Sequence, residues 1–168
     1  MKLHLLRFLF VLALGSFFSG CYTLSGVSID PNVRTYFVGR FKTNATNAPP
    51  ALDQTFTEAL KEKIRTESRL VFTDTDPDVE FVGTIVDYRI SSEAPQPGET
   101  TALNRLTITT AIEYIEHKNP DKKGWKNNFS FFYDFPSSTN LSSIQEDAIQ
   151  TISNQMMEDI FNKAFTDW

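Results

Sequence analysis

The chain has 168 residues, of which 16 are Lys or Arg and 21 are Asp or Glu, giving a formal net charge of −5 at pH 7. This acidic balance argues against nucleic-acid binding, which needs clustered basic side chains to displace counterions. The chain has one cysteine, so no intramolecular disulfide is available and packing has to stabilise the fold. No apolar run after the N-terminal segment is long enough to cross a bilayer.

The N-terminal segment has the pattern of a signal peptide. Lys2 and Arg7 supply positive charge, a short apolar run follows, and the small residues Ser19 and Gly20 precede Cys21. The segment resembles bacterial lipoprotein precursors, and this resemblance implies that residues 1–20 are removed and that Cys21 becomes the acylated first residue. The alternative is an ordinary secretory signal peptide followed by a chance cysteine.

The mature protein would be one domain on a short tether. Removal of residues 1–20 leaves 148 residues with 14 basic and 21 acidic side chains, a formal charge of −7. Residues 21–32 are rich in Ser, Gly and Thr and end in a turn sequence, so they predict a lipidated tether. Residues 33–168 are long enough for a single α+β domain with its own hydrophobic core.

The first half of this domain alternates between strand and helix patterns. A period of two predicts a strand over Val33–Phe41, and apolar residues at helical spacing predict a helix over Leu52–Ile64, with Asp53 or Thr55 as its N-cap. A short strand at Leu70–Phe72 is possible after this helix.

Four longer segments complete the domain, three predicted strands and a helix. Val79–Ile90 predicts a strand with a bulge near Gly83, Leu103–Glu116 alternates most regularly, and Trp125–Phe135 returns as a further strand. Ser142–Phe165 predicts an amphipathic helix. The expected fold class is α+β, a two-layer sandwich with two helices packed on one face of a mixed or antiparallel four-stranded sheet.

The residues predict no catalytic or metal site and no cofactor. His117 stands beside a proline turn without a thiol or a group to orient it, which is typical of a solvated turn histidine. The acidic turn Asp74–Asp78 lacks the glycine and glutamate that an EF-hand loop requires at later positions. We therefore expect a protein that is not an enzyme.

Two features leave alternatives open. Lys118, Lys122, Lys123 and Lys126 form a local basic cluster on one hairpin, which would bind the phosphates of an anionic lipid or sugar, or keep a sheet edge soluble. The aromatic series within Trp125–Phe135 would be a ligand platform or, as is more usual for a period of two beneath a helix, part of the core.

The chain resembles the LptE family of lipopolysaccharide-assembly lipoproteins along nearly the whole mature sequence. The segments that carry the resemblance are Gly20–Tyr22, Leu24–Gly26, Leu52–Leu60, Ala102–Ile108 and Ile160–Asn162. The resemblance implies a small α+β lipoprotein that plugs a large outer-membrane β-barrel, the LptD-like translocon, helps to assemble it, and assists lipopolysaccharide transport to the outer leaflet. The implied location is the outer membrane, by a lipid anchor at its periplasmic face.

Size is compatible with this role. A folded chain of 148 residues has a radius of gyration of about 15 Å, which only a barrel of roughly twenty or more strands would surround. The alternative is a free-standing lipoprotein that faces the periplasm and binds glycan or peptidoglycan.

Overall fold

The computed structural model describes residues 28–94, 102–119 and 124–166. These residues form a mixed sheet of six strands with two helices on one face. In chain order the elements are β1 Thr35–Val38, β2 Lys42–Thr43, α1 Leu52–Glu67, β3 Val71–Phe72, β4 Val79–Glu93, β5 Leu103–Glu116, β6 Trp125–Pro136 and α2 Leu141–Phe165. The predicted α+β class is confirmed, but the predicted number of four strands is wrong.

The sheet has the order β3-β1-β4-β5-β6, with β2 also paired to β4. β1 runs parallel to β3 and β4, and β2 runs parallel to β4, whereas β4, β5 and β6 form an antiparallel meander. The α1 helix connects the parallel strands, and α2 returns along the meander. The prediction of four strands omits β2, whose two residues carry too little pattern to detect, and does not count β3, although β3 lies within the short strand suggested at Leu70–Phe72.

The predicted first strand is interrupted. The predicted range Val33–Phe41 contains only β1, and β2 follows after three residues, so both short strands lie along the same side of β4. Phe41 lies in the interruption and is buried in the core. Its ring occupies the space beside Gly83 of β4, where an added Cβ would lie 1.5 Å from the Phe41 Cε1 atom.

The bulge that was predicted near Gly83 lies further along β4. The register against β5 shifts between Ile85 and Asp87, which leaves Val86 exposed. Buried residues of β4 alternate up to Ile85 and resume at Tyr88, so the bulge changes which residues face the core.

The α1 helix begins at the predicted Leu52, but its N-cap is neither Asp53 nor Thr55. The N-cap is Ala51, whose methyl side chain cannot accept a hydrogen bond, and the Thr55 hydroxyl donates within the helix to the Ala51 carbonyl at 3.0 Å. The α2 helix begins one residue before the predicted Ser142. Asn140 caps it and accepts a hydrogen bond from the Ser142 N–H at 3.1 Å.

The core lies between the two helices and the sheet. Fully buried residues on α1 include Phe56, Leu60 and Ile64, which recur at the spacing that predicted this helix. On α2 the predicted stripe is confirmed, with Ala148, Ile152, Met156 and Ile160 buried and Ile144 and Ala164 partly buried. No helix in the described part of the chain has both the length and the apolar character that a membrane span needs.

Candidate interaction surfaces

The lysine cluster lies at the β5–β6 hairpin, of which the structure describes Lys118 and Lys126. Lys118 Nζ lies 3.4 Å from Asp78 Oδ1, and Lys126 Nζ lies 3.0 Å from Glu113 Oε1. Each of these lysines therefore has a carboxylate partner already. Lys122 and Lys123 lie outside the described residues, so their part in an anion site stays a prediction.

His117 follows the end of β5 and is exposed. Its Nε2 atom lies 3.0 Å from Glu80 Oε2, across from the start of β4. Together with Asp76, Asp78 and Lys118 these residues line an open cleft of about 390 Å³. Among residues 28–94, 102–119 and 124–166, no group of three or more His, Cys, Asp or Glu side chains has the geometry of a metal site.

The acidic turn has a structural role at Asp78. The Asp78 Oδ2 atom accepts hydrogen bonds from the backbone N–H groups of Arg34 at 2.8 Å and Thr35 at 3.0 Å. The hydrogen bond from Arg34 is the largest cause that holds the pKa of this carboxyl below its ordinary value. Asp78 thus connects the start of β4 to the start of β1.

Arg69 fixes the point where the predicted tether would enter the domain. Its guanidinium donates to the carbonyl oxygens of Ile29 at 3.1 Å, Asp30 at 2.8 Å and Val33 at 3.2 Å. The Ser28 N–H also donates to the Phe165 carbonyl at 2.7 Å. We call this arrangement the entry clasp. It holds residues 28–33 against the domain.

The entry clasp and the lysine hairpin lie at the same end of the molecule. A small cavity of about 30 Å³ is lined by Ser28–Asp30 together with Tyr114 and Glu116, which are the last residues of β5 before the hairpin. Burial raises the pKa of the Tyr114 phenol, and the neighbouring Glu116 carboxylate raises it further.

Within the described ranges the second face of the sheet carries no helix, and it is mostly polar. Thr84, Ala111 and Asn128 lie side by side across its three long strands and line an open depression of about 540 Å³. One end of the depression is bounded by the Lys126–Glu113 ion pair.

Towards the other end of this face lies a stacked ion pair. The Arg105 guanidinium donates to both oxygens of Asp134, at 2.7 and 2.8 Å, and its carbon lies 3.8 Å from the centroid of the Phe132 ring. The hydrogen bond from Arg105 holds the pKa of the Asp134 carboxyl below its ordinary value. This pair places opposite charges beside the exposed Phe132 ring on the uncovered face.

The aromatic series of β6 divides between the two faces. Phe129 and Phe135 are buried, and Phe131 and Tyr133 are partly buried against the core, which confirms the interpretation of this stripe as core. Phe132 points the other way and is 50% exposed. A large apolar side chain here does not fit the polar residues expected on a solvent-exposed face, and Phe132 was not predicted as a surface residue.

The comparison with protein families identifies the chain. The sequence model of the LptE family, described as lipopolysaccharide assembly, matches residues 33–164. The chain belongs to the LptE family. The predicted resemblance is confirmed, and membership assigns the chain to lipopolysaccharide-assembly lipoproteins, a family that is not enzymatic. No curated protein matches the sequence significantly.

Solved structures similar to this LptE-family chain include proteins from three other bacteria. A Xanthomonas campestris protein of the DUF330 family is 14% identical, with 83% of this chain and 90% of that chain covered and a TM-score of 0.51. A minor lipoprotein from Acinetobacter baumannii is 7% identical over 77% and 91%, with a TM-score of 0.49. Rare lipoprotein B from Shewanella oneidensis is 12% identical over 76% and 92%, with a TM-score of 0.44. The likeness to the Xanthomonas structure shows a shared fold.

Proposed function

We propose that this protein is an outer-membrane lipoprotein that plugs and helps to assemble a large β-barrel lipopolysaccharide translocon, and that assists the insertion of lipopolysaccharide into the outer leaflet. The observation that carries the proposal is the family match over residues 33–164, which spans every helix and strand of the domain except the last residue of α2. In this proposal Cys21 carries the acyl chains, palmitate among them, and the mature domain faces the periplasm or the barrel lumen.

The entry clasp supports an anchored arrangement. Seven residue steps separate Cys21 from Ser28, and a chain of that length spans at most roughly 25 Å. Because Arg69 and Phe165 hold residues 28–33 at one end of the molecule, an acylated Cys21 would keep that end near the bilayer. The β5–β6 hairpin would then also lie near the lipid headgroups.

The uncovered sheet face supports a fit inside a larger protein. A plug has to present a polar surface to a polar lumen, and this face offers Thr, Ser and Asn side chains bounded by ordered ion pairs. An isolated surface ion pair contributes little stability. In this proposal the two pairs matter because they place charged side chains on the surface that would face the barrel lumen.

Co-purification tests the proposal. The full-length lipoprotein, tagged at its C-terminus and extracted from its host in mild detergent, should elute with a large heat-modifiable barrel in a fixed stoichiometry. A chain that elutes alone and is retained on a peptidoglycan or polysaccharide resin would instead support the free-standing glycan-binding lipoprotein.

The lysine hairpin is a separate proposal about lipopolysaccharide contact. Changing Lys122 and Lys123 together to Gln should weaken lipopolysaccharide binding severalfold at low ionic strength, with the difference diminishing as salt screens the phosphates. The matched control changes Lys42 and Arg65 to Gln, which removes the same charge from exposed positions elsewhere. Equal binding by both double variants would leave the hairpin with only a solubilising role.

A further inference from the structure

The last strand of the sheet has a long free edge. β6 has 12 residues and, among the strands that the structure describes, pairs only with β5. No backbone hydrogen bond joins residues 125–135 to any described residue outside β5. Because alternate residues of an antiparallel strand direct both their N–H and C=O groups away from the partner, about half of the polar backbone groups of β6 face outward.

Edge protection is confined to the two ends of β6. Lys126 near its start and Pro136 at its end are residues that discourage pairing with a further strand. The segment Asn128–Tyr133 between them contains no proline, glycine or charged residue and includes three phenylalanines. At the opposite edge of the sheet, β3 has only two residues. Among the described strands, β6 is therefore the edge best suited to pair with another chain.

A groove follows this free edge. It has a volume of about 530 Å³ and is lined by Ser130, Phe131 and Phe132 of β6 and by Gln155, Glu158 and Asp159 of α2. Successive strand residues point to opposite faces of a sheet. A groove that contacts three successive residues must therefore extend around the edge of the strand, between the uncovered face and α2.

The wall that α2 contributes is acidic. Glu158 is paired with Lys63 of α1 and accepts a hydrogen bond from Asn162 at 3.0 Å. Asp159 is exposed and forms no ion pair with any residue in the described ranges. Its carboxylate is available to a cation from outside. Phe131, which is partly buried, and Phe132 offer apolar surface beside it.

Charge decides between the possible occupants. A second copy of this chain would bring another Asp159 to the same groove, and both copies would carry a net negative charge, formally −7 each after removal of residues 1–20; like charges in close contact are unfavourable. A segment with a basic side chain opposite Asp159 would be attracted. The groove therefore fits a different protein better than it fits a second copy.

We propose that the free edge of β6 accepts an extended segment of another protein as an added strand, with a Lys or Arg of that segment paired to Asp159 and an apolar side chain packed on Phe131. Backbone hydrogen bonds would supply affinity, and the two side-chain contacts would supply selectivity. This inference requires a protein partner but does not require that the partner be the barrel of the proposed function.

Site-specific cross-linking in the native host tests the proposal. Ser130 of the full-length chain is replaced by the photoreactive residue p-benzoylphenylalanine, and the cross-linked peptide is mapped by mass spectrometry. The matched control carries the same residue at Thr75, which is exposed in the turn before β4. We expect an adduct at Ser130 to a segment of another protein that contains Lys or Arg within about four residues, and little adduct at Thr75. If the Ser130 variant does not fold, the exposed Asn128 takes its place.

Two further measurements distinguish strand addition from side-chain contact alone. In the purified complex, those amides of residues 128–134 that face away from β5 should exchange hydrogen at least tenfold more slowly than in the isolated chain. Asp159→Lys should reduce the adduct at least fivefold, whereas Asp74→Lys, which makes the same change of charge in an exposed turn, should leave it unchanged. An adduct only to a second copy, equal adducts at both positions, no adduct, or unchanged amide exchange would each overturn the proposal.

Discussion

Arg69 shows how one side chain determines the geometry of a whole segment. Its guanidinium bonds to three carbonyl oxygens that lie 36 to 40 residues earlier in the chain. The planar group presents several donors in a fixed arrangement, which a lysine ammonium cannot reproduce. Nothing in the local sequence marks this role, because Arg69 lies just after a helix where basic residues are common.

Arg69→Ala should loosen residues 28–33 more than it lowers global stability. We expect their backbone amides, and that of Arg34, to exchange faster, and the free energy of unfolding to fall by roughly 1 kcal/mol because the lost hydrogen bonds are partly exposed. Hydrogen exchange with mass spectrometry measures the first effect and urea titration the second. Arg65→Ala, in an exposed position on α1, is the control; similar exchange at residues 28–34 in both variants would contradict the role of the entry clasp.

The lowered pKa of Asp78 makes the free energy of unfolding depend on pH. Its pKa in the folded protein is lowered, mainly by the hydrogen bond from the Arg34 N–H, so its ionised form stabilises the fold at pH values above the unfolded pKa of about 3.9. That contribution is lost as the pH falls through the lower folded pKa. Asp78→Asn should therefore reduce the free energy of unfolding by about 1 kcal/mol at pH 7, and the difference from the unaltered protein should disappear under strongly acidic conditions.

Denaturant titrations between pH 2 and pH 7 would measure this difference. Asp74→Asn, in the exposed part of the same turn, should have little effect over that range. A destabilisation by Asp78→Asn that is independent of pH would mean that shape and not charge accounts for the role of Asp78.

At the scale of elements, Gly83 and Phe41 determine how the interrupted strand packs on β4. The Phe41 ring fills the space that any side chain at position 83 would need. Gly83→Ala should therefore displace this ring and lower the free energy of unfolding by about 1–3 kcal/mol. Thermal unfolding followed by circular dichroism provides the measurement.

The chain offers a matched control for Gly83. An added Cβ at Gly39 would lie 3.6 Å from its nearest neighbours, which is ordinary contact, so Gly39→Ala should cost far less. In a Phe41→Ala background the space beside Gly83 is empty, and Gly83→Ala should become nearly neutral. A full cost for Gly83→Ala in that background would show that its effect does not arise from the Phe41 ring.

These elements also show what sequence could predict. The stripe from Ala148 to Ile160 and the alternation in Leu103–Glu116 repeat often enough to define α2 and β5, and the structure confirms both. The two-residue strand β2 was not predicted, and β3, which was suggested at Leu70–Phe72, was not counted in the sheet, because the pairing of such short strands is set by contacts with distant residues. The bulge was placed at Gly83 because glycine often marks one, whereas this glycine accommodates a ring and the bulge lies at Val86.

The candidate surfaces were predicted less well than the fold. The hairpin lysines were visible as a local excess of charge, but the carboxylates that pair with Lys118 and Lys126 come from the turn before β4 and from β5. The free edge of β6 and its groove could not be predicted, because the edge depends on the order of strands and the groove on where α2 lies. Family membership was accessible from sequence since it depends on segments distributed along the chain.

At the scale of the whole molecule, the proposed anchor determines where the domain is found. Cys21→Ala should prevent acylation and release the domain into the soluble periplasmic fraction, because an anchor of two or more acyl chains supplies the attachment. Fractionation and immunoblotting of the tagged chain measure this. Retention of a processed Cys21→Ala chain in the membrane fraction would show that something other than lipid holds it there.

The hydrogen bond from the Ser28 N–H to the Phe165 carbonyl joins the first residue that the structure describes to the final turn of α2. A polypeptide that crosses the inner membrane with its N-terminus leading completes this contact only after almost the entire domain has emerged. Arg69 emerges much earlier, but until Phe165 follows, residues 28–33 lack one of the two contacts of the entry clasp. If the chain is exported as proposed, newly exported chains pass through an interval in which this end is only partly held, and a periplasmic chaperone would have most to protect there.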